Sequence, residues 1–356
     1  MSDNYCINSA AGHEQPSIKI KNTVISVVPW AIVGALLWAG IFVKPTVAIE
    51  EVIKPAIETR DRIYGVHLVD KDNIWLCGNY GKILKSKDGG RSWIIQQSNT
   101  EHHLQDISAW DVNKAVAVGN EGVLLTTDDG GNHWAEMDVP KTEVADKLIR
   151  VHTYADGEAW AVGEYGKILH SVDYGQTWIQ ARESEDVILN DIIKLPNQTV
   201  ITVGEFGRIL ISMDNGQHWA EVETEAESES SLMALDFINE SEGVAVGLDG
   251  LILRTQDGGM SWQQSTQHDY EMHEHLMDVV WDTTRQGWFV VGNKGVWLQA
   301  DKSFSSIEAG SFDKVDLSWH TEVESTENGY LTVGANVGLY DPESKIFTKT
   351  GNKLVR

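Results

Sequence analysis

Histidine and carboxylate side chains are concentrated in one short segment of the sequence, HDYEMHEH at 268–275. Imidazole and carboxylate groups are common ligands of zinc and similar ions. The segment contains three histidines and three acidic residues, namely His268, His273, His275, Asp269, Glu271 and Glu274. Their spacing matches no established metal motif. The sequence therefore predicts a solvated loop here, with no metal and no other cofactor.

Aspartate also recurs at a fixed place in five similar octets: SKDGGRSW (86–93), TDDGGNHW (127–134), SVDYGQTW (171–178), SMDNGQHW (212–219) and TQDGGMSW (255–262). In a turn, Asp accepts backbone N–H bonds, Gly permits a left-handed conformation and Trp buries a large area. A device repeated five times indicates a structural role rather than one active site. The residues predicted to be structural are Asp88, Gly90, Trp93, Asp129, Gly131, Trp134, Asp173, Gly175, Trp178, Asp214, Gly216, Trp219, Asp257, Gly259 and Trp262.

The elements that position these octets repeat as well. A G-x-x-G motif precedes each octet and appears again at 292–295, and a longer form, GANVG, follows at 334–338. The first glycines are 41 to 45 residues apart: Gly78, Gly119, Gly163, Gly204, Gly247, Gly292 and Gly334. Each unit contains four short segments rich in β-branched and aromatic residues. A period in this range is typical of β-propeller blades. The sequence predicts an all-β fold, a seven-bladed β-propeller of four-stranded blades over 61–356. In the sixth and seventh units ADKSFSSI (300–307) and YDPESKIF (340–347) replace the octet, and we expect these two turns to have lost its chemistry.

Strand alternation places the G-x-x-G turns and the connections between blades on one face of the predicted propeller. Exposed aromatic rings surrounded by polar groups suit protein contacts. The predicted partner-binding residues on this face are Tyr80, Tyr165, Phe206, His273 and His275. The acidic run AEVETEAESESS at 220–231 is first interpreted as a solvated edge, with a docking patch for a basic partner as the alternative.

The N-terminal region contains an uncharged run at 23–43, TVISVVPWAIVGALLWAGIFV. Its 21 residues would extend about 31 Å as a helix, the thickness of a bilayer's hydrocarbon core. The run is longer than the apolar core typical of a cleaved signal peptide, which is the competing interpretation. We therefore predict a polar tail at 1–22, one transmembrane anchor at 23–43, a linker at 44–60 and a propeller on the non-cytoplasmic side of the membrane.

The charge balance limits the classes of partner. Lys and Arg number 28 against 53 Asp and Glu, a formal net charge of −25. Such a surface repels nucleic acids and anionic lipid headgroups. Nucleic acid binding is therefore excluded, and a protein partner is favoured.

The pattern S/T-x-D-x-G-x-[S/T]-W is the Asp box, or BNR repeat, of sialidases and other propellers. Together with the preceding AVGxxGxIL pattern, it resembles the photosystem II stability and assembly factor family over about 60–345. The resemblance implies a seven-bladed propeller that serves as a chaperone-like platform for a membrane protein complex. Photosynthetic members carry an arginine-rich patch, whereas this chain has nine scattered arginines. Related propellers found beside resistance-nodulation-division transporters imply a second setting, with transporter subunits as partners.

The resemblance to sialidases also raises the alternative of a glycan-binding or glycan-cleaving propeller. Sialidases need an arginine triad, a Tyr/Glu nucleophile pair and an acidic Asp. DRIYG at 61–65 only faintly matches their arginine motif, and Arg62 and Arg150 have no third counterpart. We therefore predict a protein that is not an enzyme and has no small-molecule substrate.

Overall fold

The computed structural model describes residues 17–42, 55–141, 146–224, 230–265, 273–313, 315 and 317–350. The chain divides into two compact units, Met1–Ile53 and Lys54–Arg356.

The first unit contains one helix, α1 (Ser17–Phe42), with Pro29 inside it. Several of its apolar side chains are exposed, among them Trp30 and Leu36. Among the residues that the structure describes, no helix combines the length and the hydropathy that crossing a membrane requires. The transmembrane anchor predicted at 23–43 is therefore not confirmed.

The second unit is a β-propeller, which confirms the predicted fold. Its described residues form seven four-stranded antiparallel sheets, each made of four consecutive strands. The strands of the first four blades are β1 (Ile63–Leu68), β2 (Ile74–Gly78), β3 (Ile83–Ser86), β4 (Ile94–Gln96); β5 (Leu104–Ala109), β6 (Ala115–Gly119), β7 (Leu124–Thr127), β8 (Ala135–Glu136); β9 (Leu148–Thr153), β10 (Ala159–Gly163), β11 (Ile168–Ser171), β12 (Ile179–Gln180); β13 (Leu189–Lys194), β14 (Val200–Gly204), β15 (Ile209–Ser212), β16 (Ala220–Glu221). Those of the last three blades are β17 (Leu232–Phe237), β18 (Gly243–Gly247), β19 (Ile252–Thr255), β20 (Gln263–Gln264); β21 (Leu276–Asp282), β22 (Gly287–Gly292), β23 (Val296–Asp301), β24 (Ile307–Ser311); β25 (His320–Thr326), β26 (Gly329–Gly334), β27 (Gly338–Asp341), β28 (Ile346–Lys349).

The ring closes between the seventh and first blades without exchange of a strand. The first strand of each blade contacts the first strands of both neighbours, and β25 contacts β1 in the same way. Side chains make the closing bonds: Glu322 Oε2 accepts the N–H of Val66 at 2.8 Å, and Thr321 donates to the carbonyl of Tyr64 at 3.0 Å. Side-chain hydrogen bonds therefore join the two ends of the propeller.

The hydrophobic core lies between neighbouring blades. The described residues form seven buried apolar clusters, one at each blade-to-blade junction. At the first junction, Trp75 of blade 1 meets Trp134 of blade 2 edge-on at 5.7 Å between ring centroids. A β-carbon on Gly131 would lie 2.8 Å from the Trp75 ring, so glycine is needed there for close packing. Each blade therefore depends on the next for its core.

In blades 1 to 6, the G-x-x-G turn between the second and third strands combines two different demands on its glycines. The first glycine, Gly78 in blade 1, is extended, but a β-carbon on it would lie 2.1 Å from the carbonyl oxygen of Arg62. The second, Gly81, has φ 65°, and the preceding Tyr80 also has positive φ, 55°. Two successive positive φ values are typical of hairpin turns that match strand twist. In these turns, therefore, only the second glycine supplies a positive φ, whereas the first is required by the close approach of the neighbouring backbone.

The five Asp boxes form one recurring hydrogen-bond pattern between the third and fourth strands. In blade 3, Asp173 accepts the Thr177 N–H at 2.9 Å, the Thr177 hydroxyl at 2.7 Å and the Ser171 hydroxyl at 2.9 Å. Burial alone would raise the pKa of Asp173, but these bonds, the Thr177 hydroxyl first, hold it below its ordinary value. The carboxylate thus organises the turn in its ionised form.

The expectation that the sixth and seventh turns lost this chemistry is wrong. In blade 6, Asp301 accepts the Ser306 N–H at 2.8 Å and the hydroxyls of Ser303 and Ser305 at 2.7 Å. In blade 7, Asp341 accepts the Ser344 hydroxyl at 2.7 Å. The aspartate has moved to the end of the third strand, so the octet alignment did not reveal it.

We expect Asp173→Ala to lower the free energy of unfolding by about 1–3 kcal/mol, because it removes the acceptor of three hydrogen bonds in this turn. Urea unfolding of the propeller measures this effect. Asp186→Ala, at an exposed residue of the following connection, is the control and should change stability by less than about 0.5 kcal/mol. Unchanged stability of the Asp173 variant, with loss of partner binding, would contradict a structural role for the box.

Candidate functional site

The G-x-x-G turns and the connections between blades lie on one face of the propeller, which we call the turn face. The residue after the first glycine of each motif donates its N–H to the carbonyl oxygen of the residue immediately before a first strand. Asn79 donates to Arg62 in this way and Asn120 to His103, both at 2.9 Å. The same bond recurs in all seven blades. The turn face is therefore a continuous surface, and the Asp boxes, at the opposite strand ends, lie on the other side.

Aromatic rings project from the left-handed position of three of these turns. Tyr80 and Phe206 are each 70% exposed, with φ of 55° and 57°. Tyr165 has the same conformation, φ 62°, but is half-buried. The three belong to blades 1, 3 and 4, and the described contacts do not bring their rings together. The structure thus places the predicted aromatic residues on one face but leaves them separate.

A cluster of four rings, Tyr64, Tyr80, His103 and Trp319, covers the place where blades 7, 1 and 2 meet; we call it the seam cluster. Tyr64 lies between Trp319, at 5.9 Å, and His103, at 6.3 Å, with nearly parallel ring planes. Tyr80 meets His103 edge-on at 5.1 Å. Partial burial, opposed by the charge of Arg62, raises the pKa of Tyr64. The seam cluster therefore presents an aromatic surface with one mostly exposed ring, Tyr80.

Tyr80 was predicted from the sequence, whereas Tyr64 and Trp319 were not. Trp319 immediately precedes the first strand of blade 7, as His103 does that of blade 2, so aligning the repeats at that position could have identified it. Tyr64 sits at a register shift of β1, between Ile63 and Gly65, where simple alternation does not predict its direction. Its place in the cluster is a tertiary feature.

The two predicted histidines lie near the fifth and sixth blades of the same face. His275 accepts the N–H of Asp249 through Nδ1 at 3.1 Å, and its own N–H donates to Asn293 at 3.0 Å. His273 is exposed. His268, Asp269 and Glu271 lie outside the described residues, as does the middle of the acidic run, 225–229. Among the residues that are described, no three His, Cys, Asp or Glu side chains form a group that could hold a metal ion.

A second concentration of titratable groups lies on the axis of the propeller, in the layer of the first strands. Arg150 of blade 3 is 2.9 Å from Glu322 of blade 7, 3.5 Å from Asp191 of blade 4 and 3.7 Å from Asp278 of blade 6. All four side chains are buried. One guanidinium therefore connects carboxyl groups from three other blades, in a position that a substrate would not reach.

The axial carboxyl groups also join neighbouring blades directly. Asp106 accepts the N–H of Val151, and Asp191 that of Leu235, at 2.8 and 3.0 Å. The same bond runs from Trp281 to Asp236, from Val323 to Asp278 and from Leu68 to Glu324. Five of the seven junctions, including the closure through Glu322, therefore contain a carboxyl group bonded to the backbone of the next blade.

Burial dominates the ionisation of these carboxyl groups. It raises the pKa of Asp278 to about 7, although Arg150 acts in the opposite direction. Burial likewise raises the pKa of Asp236 to about 6 and that of Glu324 to about 8. For Asp191, burial is outweighed by Arg150 and His152, so its pKa lies below its ordinary value. The axis therefore contains neutral and charged carboxyl groups side by side near neutral pH.

The comparisons with known proteins agree with this fold. Residues 92–187 match the family model described as "Photosynthesis system II assembly factor YCF48". No curated protein matches the sequence. A solved structure named "YCF48 bound to D1 peptide" is similar at 16% identity and TM-score 0.62, over 77% of this chain and 90% of that one. Another, "YCF48 from Cyanidioschyzon merolae", has 15% identity and TM-score 0.64, over 83% and 96%. The WD40 repeats of RRP9 are also similar, with 12% identity and TM-score 0.60, over 79% and 90%.

These findings confirm that the chain contains a photosystem II assembly factor-like β-propeller. The family match covers less than half of the chain, from the first Asp box to the connection before blade 4. At identities this low, the structural neighbours show the fold alone, as the similarity to RRP9 illustrates.

Proposed function

We propose that this propeller performs no chemistry and binds a protein partner through its turn face, as an assembly factor or scaffold for a membrane protein complex. The observation that carries the proposal is the pair of rings, Tyr80 and Phe206, that project into solvent from left-handed turn positions. Bulky residues are rare in this conformation, and Gly or Asn would adopt it at lower cost. The same conformation recurs at Glu121, Asp249 and Lys294, so it belongs to the turn, and what supports a binding role for Tyr80 and Phe206 is their exposed aromatic area.

The arrangement of the face favours a macromolecule over a small ligand. The projecting rings belong to blades 1 and 4, and the seam cluster extends to blade 7. A partner that contacts all of them must extend over a broad arc of the ring. Aromatic side chains with polar neighbours are typical of such contacts, and His275 and Asp249 supply polar neighbours on the same face.

The comparisons support the class of partner. The structure named "YCF48 bound to D1 peptide" shows that a propeller of similar fold binds a peptide. By this analogy we propose that the present chain binds an extended segment of a membrane protein. Two kinds of complex fit: a photosystem-type complex, and a transporter of the resistance-nodulation-division type. Crosslinking in native membranes, followed by mass spectrometry of what co-purifies, distinguishes them.

We also propose that the propeller acts on the non-cytoplasmic side of the membrane, where the resemblance places related proteins. Protease added to intact spheroplasts should cleave the propeller if this is correct. Protection from protease until the membrane is lysed would contradict this location.

Replacing Tyr80, Tyr165 and Phe206 together with Ala should weaken partner capture by about tenfold or more, because aromatic anchors dominate interface energies. The melting temperature should change little, since Tyr80 and Phe206 are mostly exposed. The measurement is recovery of the crosslinked partner from native membranes. Met213→Ala removes a side chain that is 65% exposed on the Asp-box side and is the matched control, together with Arg91→Ala and Gln176→Ala. Equal losses from both sides would contradict the assignment.

The alternative of a glycan-cleaving propeller is tested separately. A fluorogenic sialoside assay on the soluble propeller should show no turnover. Turnover that is abolished by replacing a single carboxylate would overturn the proposal of a non-catalytic protein.

A further inference from the structure

The third residue of the third strand in each of blades 1 to 5 lies at the junction with the next blade. These residues face the following Asp box and are Lys85, Thr126, His170, Ile211 and Arg254 in blades 1 to 5. Lys85 donates to the carbonyl of Gly130 in the next box at 3.2 Å. Thr126 and Ile211 line the space where a β-carbon on Gly175 or Gly259 of the next box would lie.

The third blade closes its junction through a shared acceptor. His170 contacts Glu158 at 2.9 Å, and Asn215 of the next box donates to the same carboxylate at 3.1 Å. The first four junctions are therefore each filled at this level by packing or by hydrogen bonds to the following box.

At this third-strand position, the fifth junction is not filled by packing or by hydrogen bonds to the following box. The box of blade 6 has no glycine at the packing position and instead has Phe304, which is buried with φ 54°. A cleft of about 490 Å³ remains between blades 5 and 6, lined by Arg254, Gln263, Ser303 and Ser305 among others. Within the described part of the chain, the Arg254 guanidinium makes no hydrogen bond and no direct ion pair, although its charge acts on the nearby Glu242 carboxylate. The nearby Lys302 is paired instead with Glu242 at 2.8 Å.

The lining of the cleft defines the chemistry of a ligand. An unpaired guanidinium binds a carboxylate through two parallel hydrogen bonds. Amide and hydroxyl side chains such as Gln256, Gln263 and Ser265 both donate and accept, as a polyhydroxylated ligand requires. The carboxylate of Asp257, also in the lining, is occupied by the N–H and hydroxyl of Ser261 at 2.9 and 2.6 Å, so it does not compete for the guanidinium.

We propose that this cleft is a binding site for a carboxylated sugar of the uronic acid type, with Arg254 binding the carboxylate. Its volume lies within the range of small-ligand sites, about 300–1,000 Å³. The polar lining does not suit an apolar peptide segment. The site lies on the Asp-box side, opposite the turn face, and is independent of the protein-binding function proposed above.

The test is a calorimetric or NMR titration of the soluble propeller with galacturonate. We expect saturable binding with a Kd in the millimolar range, about the affinity of a single charged pair with a few hydrogen bonds. Galactose, which lacks the carboxylate, should bind at least about tenfold more weakly. Arg254→Gln should lose at least about tenfold in affinity for galacturonate without a change in melting temperature.

Arg91→Gln is the matched control, because Arg91 is exposed on the same side in the box of blade 1 and its guanidinium bonds only to the carbonyl of Asp88 among described residues. It should bind galacturonate as the wild type does. Three results would overturn the proposal: no saturation up to about 50 mM galacturonate, equal affinity for galactose, or full affinity in Arg254→Gln. Tighter binding of a short glutamate peptide than of galacturonate would assign the cleft to an acidic peptide and overturn the sugar assignment.

Discussion

Arg150→Met is expected to lower the free energy of unfolding of the propeller by about 3–5 kcal/mol, the usual cost of removing one partner from a buried charge cluster. The guanidinium of Arg150 lies 2.9 to 3.7 Å from carboxyl oxygens of Glu322, Asp191 and Asp278, all buried. Met fills a similar volume but leaves Glu322 and Asp278 without their positive neighbour, while Asp191 keeps only His152 at 3.0 Å. Urea unfolding followed by tryptophan fluorescence measures the loss.

Arg208→Met is the matched control. Arg208 also contacts two carboxylates, those of Glu185 and Glu221, but its side chain is only partly buried. Partly exposed ion pairs contribute about 0–1 kcal/mol, so this variant should unfold nearly as the wild type does. If the two variants lost equal stability, the buried ion pairs of Arg150 would contribute no more to stability than the partly exposed ones of Arg208. Because some axial carboxyl groups become neutral in mild acid, the loss in Arg150→Met should also be smaller at pH 6 than at pH 8.

The free energy of unfolding of the wild type should fall by about 1–2 kcal/mol between pH 6.5 and pH 8. Burial raises the pKa of Asp278 to about 7 and that of Glu324 to about 8. In this window the folded protein retains protons that the unfolded chain, with ordinary carboxyl pKa values, has already released. Because the folded state binds more protons, a rise in pH favours unfolding.

The choice of window favours the carboxyl groups. Burial would lower the pKa of His152, but its hydrogen bond to Asp191 holds it above its ordinary value, so this histidine contributes with the same sign as the carboxyl groups. Burial lowers the pKa of His67 to about 4, so its contribution raises stability with pH, mainly between about pH 4 and its ordinary pKa. Above pH 6.5 only the last part of this opposing effect remains. Asp236, with a pKa raised by burial to about 6, has also largely titrated by then.

Glu324→Gln tests the source of the effect. Gln keeps the carbonyl oxygen that accepts the Leu68 N–H and has no carboxyl group to titrate. The variant should be at least as stable as the wild type at pH 8. Its free energy of unfolding should also fall less between pH 6.5 and pH 8. Glu327→Gln, at the exposed residue that immediately follows the same strand, should leave the dependence of stability on pH unchanged. A wild-type stability that rises from pH 6.5 to pH 8 would contradict burial as the dominant influence.

The axial cluster could have been predicted in part by aligning the sequence repeats. Asp106, Asp191, Asp278 and Glu322 occupy the third position of their first strands, as Arg150 does in blade 3. Aligning the seven units at that strand would have grouped them. The net charge of −25 was instead interpreted only as a limit on the classes of partner. The alignment reveals equivalent positions, but that they converge on one guanidinium follows only from the closed ring.

The turn face was also predicted only in part: the sequence predicted which residues lie on it, but not how exposed each of them is. Strand alternation is a local property, and it correctly placed Tyr80, Tyr165 and Phe206 on one face. The local pattern does not predict that Tyr80 and Phe206 are exposed while Tyr165 is half-buried, because each ring's burial depends on the neighbouring connection. Whether these residues bind a partner stays a prediction.

The sequence by itself determined the seven blades, their four strands and the positions of the Asp boxes, because each of these features repeats within about 45 residues and rests on local turn and strand chemistry. Only the tertiary structure decided the features that join distant blades: the axial arginine, the seam cluster of Tyr64 and Trp319, and the open cleft at Arg254. Arg150 and Asp191, which are 41 positions apart, meet at the axis, and Thr321 and Tyr64, which are 257 positions apart, meet at the seam. Closing the propeller brings them together, and no local pattern contains that information.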